Sequence, residues 1–191
     1  MHAAAFCPRC AAPLIDKIPD LDTRPRRVCP KCAFVVYVNP KIAAGTVPVR
    51  DGKVALIRRG IEPSRGMWSW PCGYLEIDET LEEGALRETL EEADARVAVE
   101  DLYAVISLPQ INQVYMMFRA RLLDLAFGPG SESLEVRLFD ESEVPWEAIA
   151  FRTIARTLRN FFLDRRLGEF ALHVSAIERR PPLTPELLAA G

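Results

Sequence analysis

The stretch Gly73–Ala95 reads GYLEIDETLEEGALRETLEEADA and is the most informative part of the chain. Thr80 followed three residues later by Glu83 is typical of a helix N-terminus, where each side chain caps the other residue's backbone. The apolar and acidic residues that follow keep a helical spacing. The sequence therefore predicts a helix over 81–93.

Three carboxylates share one face of this predicted helix. Glu88, Glu91 and Glu92 are spaced i, i+3 and i+4, and such residues are neighbours on a helix surface. Like charges this close repel each other unless a cation neutralises them. Carboxylate oxygens suit Mg²⁺ or Mn²⁺, and Mg²⁺ keeps positions for water and phosphate oxygens. We therefore expect a divalent metal site that receives a phosphate compound. The opposite face, which we expect to point into a core, carries Leu86, Leu90 and Ala93.

The whole stretch resembles the Nudix box, GX5EX7REUXEEXGU, in which U is a bulky apolar residue. The residues in register are Gly73, Glu79, Arg87, Glu88, Glu91 and Glu92. Three positions depart: Thr89 stands at the first U, Asp94 replaces the late glycine, and the last U is the small Ala95. Aspartate adopts left-handed conformations more readily than most residues, so the helix can still end at Asp94.

The resemblance implies an enzyme that cleaves a pyrophosphate linked to a nucleoside diphosphate, using water and divalent metals. It makes Glu88, Glu91 and Glu92 ligands of Mg²⁺ or Mn²⁺, with the Gly73 carbonyl as a further ligand. Arg87 and Glu79 would pair and hold the loop against the helix, which places them with the three glutamates as catalytic residues. A late glutamate also reaches the metals in relatives. Its best match is Glu132, with Glu135 as the second choice.

Four cysteines near the N-terminus form two CxxC pairs, Cys7–Cys10 and Cys29–Cys32, separated by 18 residues. This is the spacing of a four-cysteine zinc ribbon, with a structural role because four thiolates leave no open position. Two disulfides or a redox pair are the alternatives. We expect a zinc ribbon over 1–38, a Nudix domain over 39–167 and a loosely held tail over 168–191.

The rest of the chain alternates strand and helix patterns. Segments rich in Val, Ile, Tyr and Phe predict strands at 42–50, 53–59, 96–108, 113–123 and 135–139. A second helix is predicted at 153–166, with Ile154, Leu158, Phe161 and Phe162 on one side. Interleaved elements of this kind indicate an α/β or α+β layered domain. The resemblance makes this a Nudix α/β/α sandwich behind an N-terminal zinc ribbon.

Composition excludes several classes of protein. The 191 residues carry a net charge of -3, which disfavours nucleic acid as the general partner. No apolar run approaches the roughly 20 residues of a membrane helix, and no secretory signal is recognisable. We therefore expect a cytoplasmic protein with a small-molecule partner. The resemblance further implies a homodimer.

A zinc ribbon ahead of a Nudix domain resembles the bacterial NADH pyrophosphatases and their relatives. The NADH-type motif SQPWPFPxS is only loosely matched by Ser107–Gln113, which lacks its Trp and Phe residues. The segments Leu108–Tyr115 and Glu132–Phe139 look more like the FAD and ADP-ribose pyrophosphatase group. The expected substrate is FAD or ADP-ribose, with NADH as a further candidate, cleaved to AMP and the other phosphorylated half.

Three other functions remain open. The ribbon and its basic residues Arg24, Arg26 and Arg27 could hold RNA while the Nudix centre removes a 5′ cap. The pair Cys72–Gly73 resembles a pair in the isopentenyl diphosphate isomerases, although a buried packing role for Cys72 is the more usual one. The third is a non-catalytic regulator that binds a nucleotide.

Two groups of side chains near the box have both a binding and a structural interpretation. The aromatic rings near the box could stack on a base of the substrate or pack in the protein core, and packing is the commoner role. These rings are Trp68, Trp70 and Tyr74. Arginines upstream of the box contact phosphates or lie at a solvated strand end. These arginines are Arg58, Arg59 and Arg65.

Overall fold

The computed structural model describes residues 4–178 of the chain. They fall into two compact units that divide between Asn39 and Pro40. Within the described range, the helices are all too short or too polar to cross a membrane.

The first unit is built on a small antiparallel sheet. Its strands are β1 (Ile15–Lys17), β2 (Arg26–Val28) and β3 (Val35–Val36), in the order β1-β2-β3. The buried side chains among the described residues of this unit are Cys7, Leu14, Val28 and Cys29. A core this small does not stabilise a fold by itself, so the unit requires a further stabilising element such as a bound metal.

The second unit contains a mixed sheet of eight strands. These are β4 (Lys41–Arg50), β5 (Lys53–Arg59), β6 (Trp68–Ser69), β7 (Cys72–Tyr74), β8 (Val97–Leu108), β9 (Gln113–Leu122), β10 (Ser133–Phe139) and β11 (His173–Ala176). The main order is β10-β5-β4-β9-β8-β11, with β6 paired to β5 and β7 to β4. The pairs β4–β9 and β8–β11 are parallel, and the other pairs are antiparallel.

Two helices, α1 (Leu81–Ala93) and α2 (Arg152–Leu167), cover opposite faces of this sheet. Phe118 of β9 belongs to the buried cluster that includes Ala85 of α1. Its neighbour Met117 belongs to the cluster that includes Leu158 of α2. Because consecutive side chains of a strand point to opposite faces, the layers are helix, sheet and helix. The predicted sandwich is confirmed, and all five strands and both helices predicted from the sequence are present.

The predicted buried face of α1 is wrong in part. Leu86 and Leu90 keep 38% and 51% of their surface exposed, whereas Ala85 and Ala93 are buried. The face against the sheet carries small residues, and Ala85 packs there beside Ala44 of β4. Small side chains let the helix backbone approach the sheet closely, and the larger leucines are left at its flank.

The C-terminal segment also differs from the expected loose tail. His173–Ala176 forms β11, which extends the sheet next to β8, and Ile177 is buried. The remainder of the predicted tail, 179–191, lies outside the described residues.

Candidate active site

The ends of α1 are fixed by local interactions. The N–H of Glu83 donates to Oγ1 of Thr80 at 3.2 Å, and the N–H of Thr80 donates to the Glu83 carboxylate at 2.8 Å. Asp94 ends the helix in the left-handed conformation, with φ 45°. The predicted capping box and the predicted left-handed aspartate are both confirmed. They set the register in which the helix presents its carboxylates.

Thr89, which replaces an apolar residue of the box, has a polar partner in the sheet. Its Oγ1 lies 2.6 Å from Oγ1 of Thr46 in β4, and both side chains are fully buried. The Thr89 hydroxyl donates to the carbonyl of Ala85, so the Thr46 hydroxyl donates to Thr89. The pair ties the middle of α1 to β4, and it explains why the departure from the box is tolerated.

Thr89→Val is expected to destabilise the protein by about 1–3 kcal/mol, because it leaves the Thr46 hydroxyl buried without a partner. The double variant Thr46→Val/Thr89→Val is expected to recover most of that loss, since neither buried polar group remains. Urea unfolding of the four proteins in the double-mutant cycle measures both effects. Equal stability of Thr89→Val and the wild type would show that the pair is not coupled.

Arg87 joins the loop before α1 to the carboxylate face. Its guanidinium donates twice to Glu79, at 2.7 and 3.0 Å, and the pKa of Glu79 falls to about 2 because of these bonds. It also donates to Glu88 at 2.7 Å, to Glu91 at 3.2 Å and to the carbonyl of Tyr74 at 3.2 Å. The pair of Arg87 and Glu79 that the family pattern implies is therefore present in the structure.

The three helix carboxylates differ in burial. Glu92 is 6% exposed and accepts a bond of 2.8 Å from the N–H of Cys72, while burial raises its pKa to about 8. Burial also raises the pKa of Glu88, whereas Glu91 is 58% exposed. A Cβ at Gly73 would collide with the Glu88 carboxylate, so a larger residue there would displace that carboxylate.

This donor set suits a hard divalent cation. It offers carboxylate oxygens and the Gly73 backbone, and burial and mutual repulsion already disfavour the uncompensated charges of Glu88 and Glu92. Within residues 4–178 the three carboxylates do not converge as tightly as the four cysteines do. Instead, Arg87 holds Glu88 and Glu91 by ion pairs.

Of the two late glutamates, Glu132 lies at this site and Glu135 does not. Glu132 lines the same cavity as the helix carboxylates, and its charge contributes to the raised pKa of Glu88 and Glu92. Glu135 instead lies 3.7 Å from Arg58, away from the cavity wall.

Gly130 holds the loop that carries Glu132 against the C-terminal end of α1. Its N–H donates to the carbonyl of Glu92 at 3.2 Å, and a Cβ there would collide with the Glu91 carbonyl. The sequence analysis did not identify Gly130, because no motif marks a glycine that is needed for close approach.

One cavity of about 1360 Å³ is lined by the three helix carboxylates, Gly73, Arg87 and Glu132. This is larger than the typical range for a small-molecule site, about 300–1,000 Å³. Of the three aromatic residues near the box, Trp68 and Trp70 are core residues. Tyr74 instead lies on the cavity wall with 47% of its surface exposed. Gln113 donates to its hydroxyl at 2.6 Å, which fixes the ring.

Cys72 also lines this cavity, half-buried, and burial raises the pKa of its thiol. A thiol held neutral is a poor nucleophile, which favours packing over the isomerase role. Of the three upstream arginines, Arg59 lines the cavity, whereas Arg58 and Arg65 are exposed elsewhere. Residues 150–153 and 177–178 also line the cavity, and no motif in the sequence marks them.

The four cysteines of the first unit lie together. Their Sγ atoms are all within 4.8 Å of one another, with neighbouring sulfurs 3.5–3.6 Å apart. Four sulfurs at about 2.3 Å from a tetrahedral zinc are separated by about 3.8 Å. The cluster therefore fits zinc, and the described cysteines form no disulfide.

Comparison with known proteins agrees with this geometry. The NUDIX domain family matches residues 39–161, and the Nudix N-terminal zinc-ribbon family matches residues 5–38. A NUDIX hydrolase structure from Nitrosomonas europaea is 52% identical, with a TM-score of 0.89, covering 92% of this chain and 100% of that one.

Two curated relatives carry activities in their names. An ADP-ribose pyrophosphatase of Methanocaldococcus jannaschii is 30% identical over 59% of this chain and 69% of its own. The NAD-capped RNA hydrolase NudC of Chromobacterium violaceum is 40% identical over 46% of this chain, which spans only 31% of that protein. The chain belongs to the Nudix hydrolase family.

Proposed function

We propose that this hydrolase splits the diphosphate of a nucleoside diphosphate-linked compound into AMP and a second phosphomonoester. ADP-ribose and FAD are the favoured substrates, and NADH is the third. The observation that carries the proposal is the set of carboxylates on α1 that opens onto one large cavity. The similarity to an enzyme named ADP-ribose pyrophosphatase supports the substrate class.

The residue roles are those that the Nudix pattern implies, and the positions of the side chains support them. Glu88, Glu91 and Glu92, with the Gly73 carbonyl and Glu132, would hold Mg²⁺ or Mn²⁺. Bound divalent ions polarise the phosphoryl oxygens and lower the pKa of the attacking water.

Arg87 and Glu79 act as positioning residues, because their ion pair fixes the loop and the helix that supply these ligands. Glu92 is the residue most removed from solvent among the helix carboxylates, and its N–H bond from Cys72 fixes one oxygen. It is therefore the best-positioned proton acceptor of the set.

Tyr74 is the proposed stacking surface for a base of the substrate. Its ring follows Gly73 directly, is fixed through its hydroxyl, and has Lys41 Nζ 4.6 Å from its centroid. An aromatic face that is half exposed and held in place binds a flat ring at low entropic cost.

A product assay tests the proposed function. Purified protein is incubated with Mg²⁺ or Mn²⁺ and ADP-ribose, FAD or NADH, and products are separated by chromatography. The proposal predicts AMP with ribose 5-phosphate, FMN or reduced NMN, and the ratios of kcat/KM identify the preferred substrate. No metal-dependent cleavage of any of the three would contradict it and would favour the isomerase or regulator.

Removal of an RNA cap is the second candidate, because one relative is named an NAD-capped RNA hydrolase. The ribbon gives this candidate little support: Arg26 pairs with Asp22 and Arg27 with Asp16, so their charges are partly neutralised. Adding NAD-capped RNA to the assay compares the two directly. A much higher kcat/KM for the RNA than for all three small molecules would favour the second candidate.

A further inference from the structure

The lining of the cavity includes the N-terminal end of α2. Ala150, Phe151, Arg152 and Thr153 all line it. Phe151 is the N-cap of this 16-residue helix, and it has no side-chain oxygen to bind the first-turn N–H groups. Uncapped N–H groups and the helix dipole favour an anion at such an end.

A buried hydroxyl lies at the same place. Thr153 is 5% exposed, and its hydroxyl forms no hydrogen bond with any residue of the described range. Within that range, the side-chain polar atoms that are both fully buried and without a hydrogen-bond partner are Trp70 Nε1 and Ser133 Oγ. The Thr153 hydroxyl is not among them. The hydroxyl is therefore open to the cavity that Thr153 lines, and it is available to a ligand.

A cation completes this corner. Arg59 lines the cavity, its Nε donates to the carbonyl of Pro63 at 3.0 Å, and its guanidinium lies 5.3 Å from the centre of the Phe151 ring. No carboxylate among residues 4–178 lies within 4.0 Å of its nitrogens. The Nη groups of Arg59 are thus held in place without an internal anion. The neighbouring Arg58 instead pairs with Glu135 on the other side of the strand.

We propose that Arg59, the Thr153 hydroxyl and the uncapped N-terminus of α2 form a phosphate subsite for the departing half of the substrate. This deepens the proposed function and rests on it. The helix carboxylates and this corner line the same cavity, as the two phosphates of one diphosphate would require. Arg59 also acts on the carboxylate side, where its charge opposes the rise in the pKa of Glu92.

The role follows from the charge balance of hydrolysis. The water oxygen bonds to one phosphorus, and the bridging P–O bond breaks with its electron pair kept on the bridging oxygen. The departing phosphomonoester gains negative charge, and the two protons of the water pass to solvent. A guanidinium, a hydroxyl and free N–H groups stabilise that charge where it develops.

Binding of AMP to metal-free protein in EDTA tests the subsite, with inorganic phosphate as competitor. Arg59→Gln is expected to raise the Kd about tenfold or more, because a charge-assisted contact is lost. Thr153→Val is expected to raise it about threefold to tenfold. The matched controls are Arg58→Gln, which removes the same charge one residue away, and Thr153→Ser, which keeps the hydroxyl. Both should bind as the wild type does, and circular dichroism checks each fold.

The proposal is overturned if the wild type does not bind AMP, if Arg59→Gln and Thr153→Val bind it normally, or if Arg58→Gln weakens binding as much as Arg59→Gln. The substrate assay separates this failure from failure of the proposed function. If the wild type cleaves ADP-ribose but the variants bind AMP normally, the proposed subsite is contradicted and the proposed function stands. If AMP binding changes in the variants as expected but no substrate is cleaved, only the proposed function is contradicted.

Discussion

Glu92→Gln is expected to lower kcat by about 10²–10⁴-fold for whichever substrate is cleaved fastest, and to leave the fold intact. Gln has nearly the same shape, and its carbonyl oxygen can still accept the bond from the N–H of Cys72. The substitution removes the negative charge, and with it the proposed metal ligand and proton acceptor, from the most buried of the helix carboxylates. Steady-state kinetics with Mg²⁺ measure the loss, and thermal unfolding checks the fold.

Glu82→Gln is the matched control, because it removes the same charge from the exposed first turn of the same helix. Its kcat should stay within about twofold of the wild type, since surface substitutions away from special features have small effects. Full turnover by Glu92→Gln, or an equal loss in both variants, would show that Glu92 has no special role.

The second large effect is expected at the zinc ribbon. The purified protein should contain one zinc ion per chain, and removing it should unfold the ribbon. Structural zinc contributes roughly 10–16 kcal/mol of apparent binding free energy in zinc-finger peptides, far more than this small core supplies. Two of the four buried side chains in the described part of the unit are themselves cysteines of the cluster.

Elemental analysis and hydrogen exchange measure this effect. After treatment with a strong chelator, the ribbon amides that pair β2 with β3, at Arg27–Val28 and Val35–Val36, should lose protection, while those of the large sheet keep it. Cys10→Ser should lose zinc, whereas Cys72→Ser should retain it. Zinc-free protein with four freely titrating thiols and protected ribbon amides would contradict the account.

The sequence predicted those parts of the structure that depend on local spacing. The capping box of Thr80 and Glu83 and the two CxxC pairs need only a few neighbouring residues to be recognised. The buried face of α1 was harder, because apolar residues at helical spacing suggested Leu86 and Leu90. The sheet instead selected the smaller side chains, through the close contact of Ala85 and Ala44.

The part of the cavity lining that comes from α2 could not be predicted, because long-range topology brings it there. Thr153 follows the end of the box by 58 residues, and only the order of the sheet places α2 beside the cavity. Long-range topology also decides which of Glu132 and Glu135 lies at the cavity. The register of β10 against β5 pairs Glu135 with Arg58, which leaves Glu132 at the cavity.

Hydrolysis of ADP-ribose in ¹⁸O-water tests the central claim most directly. The account predicts, with Mg²⁺ present, AMP and ribose 5-phosphate in equal amounts and one ¹⁸O atom in the phosphate of one of the two products. Mass spectrometry shows which phosphorus the water attacked. Absence of cleavage of ADP-ribose, FAD and NADH alike, or products with no ¹⁸O in either phosphate, would contradict the account.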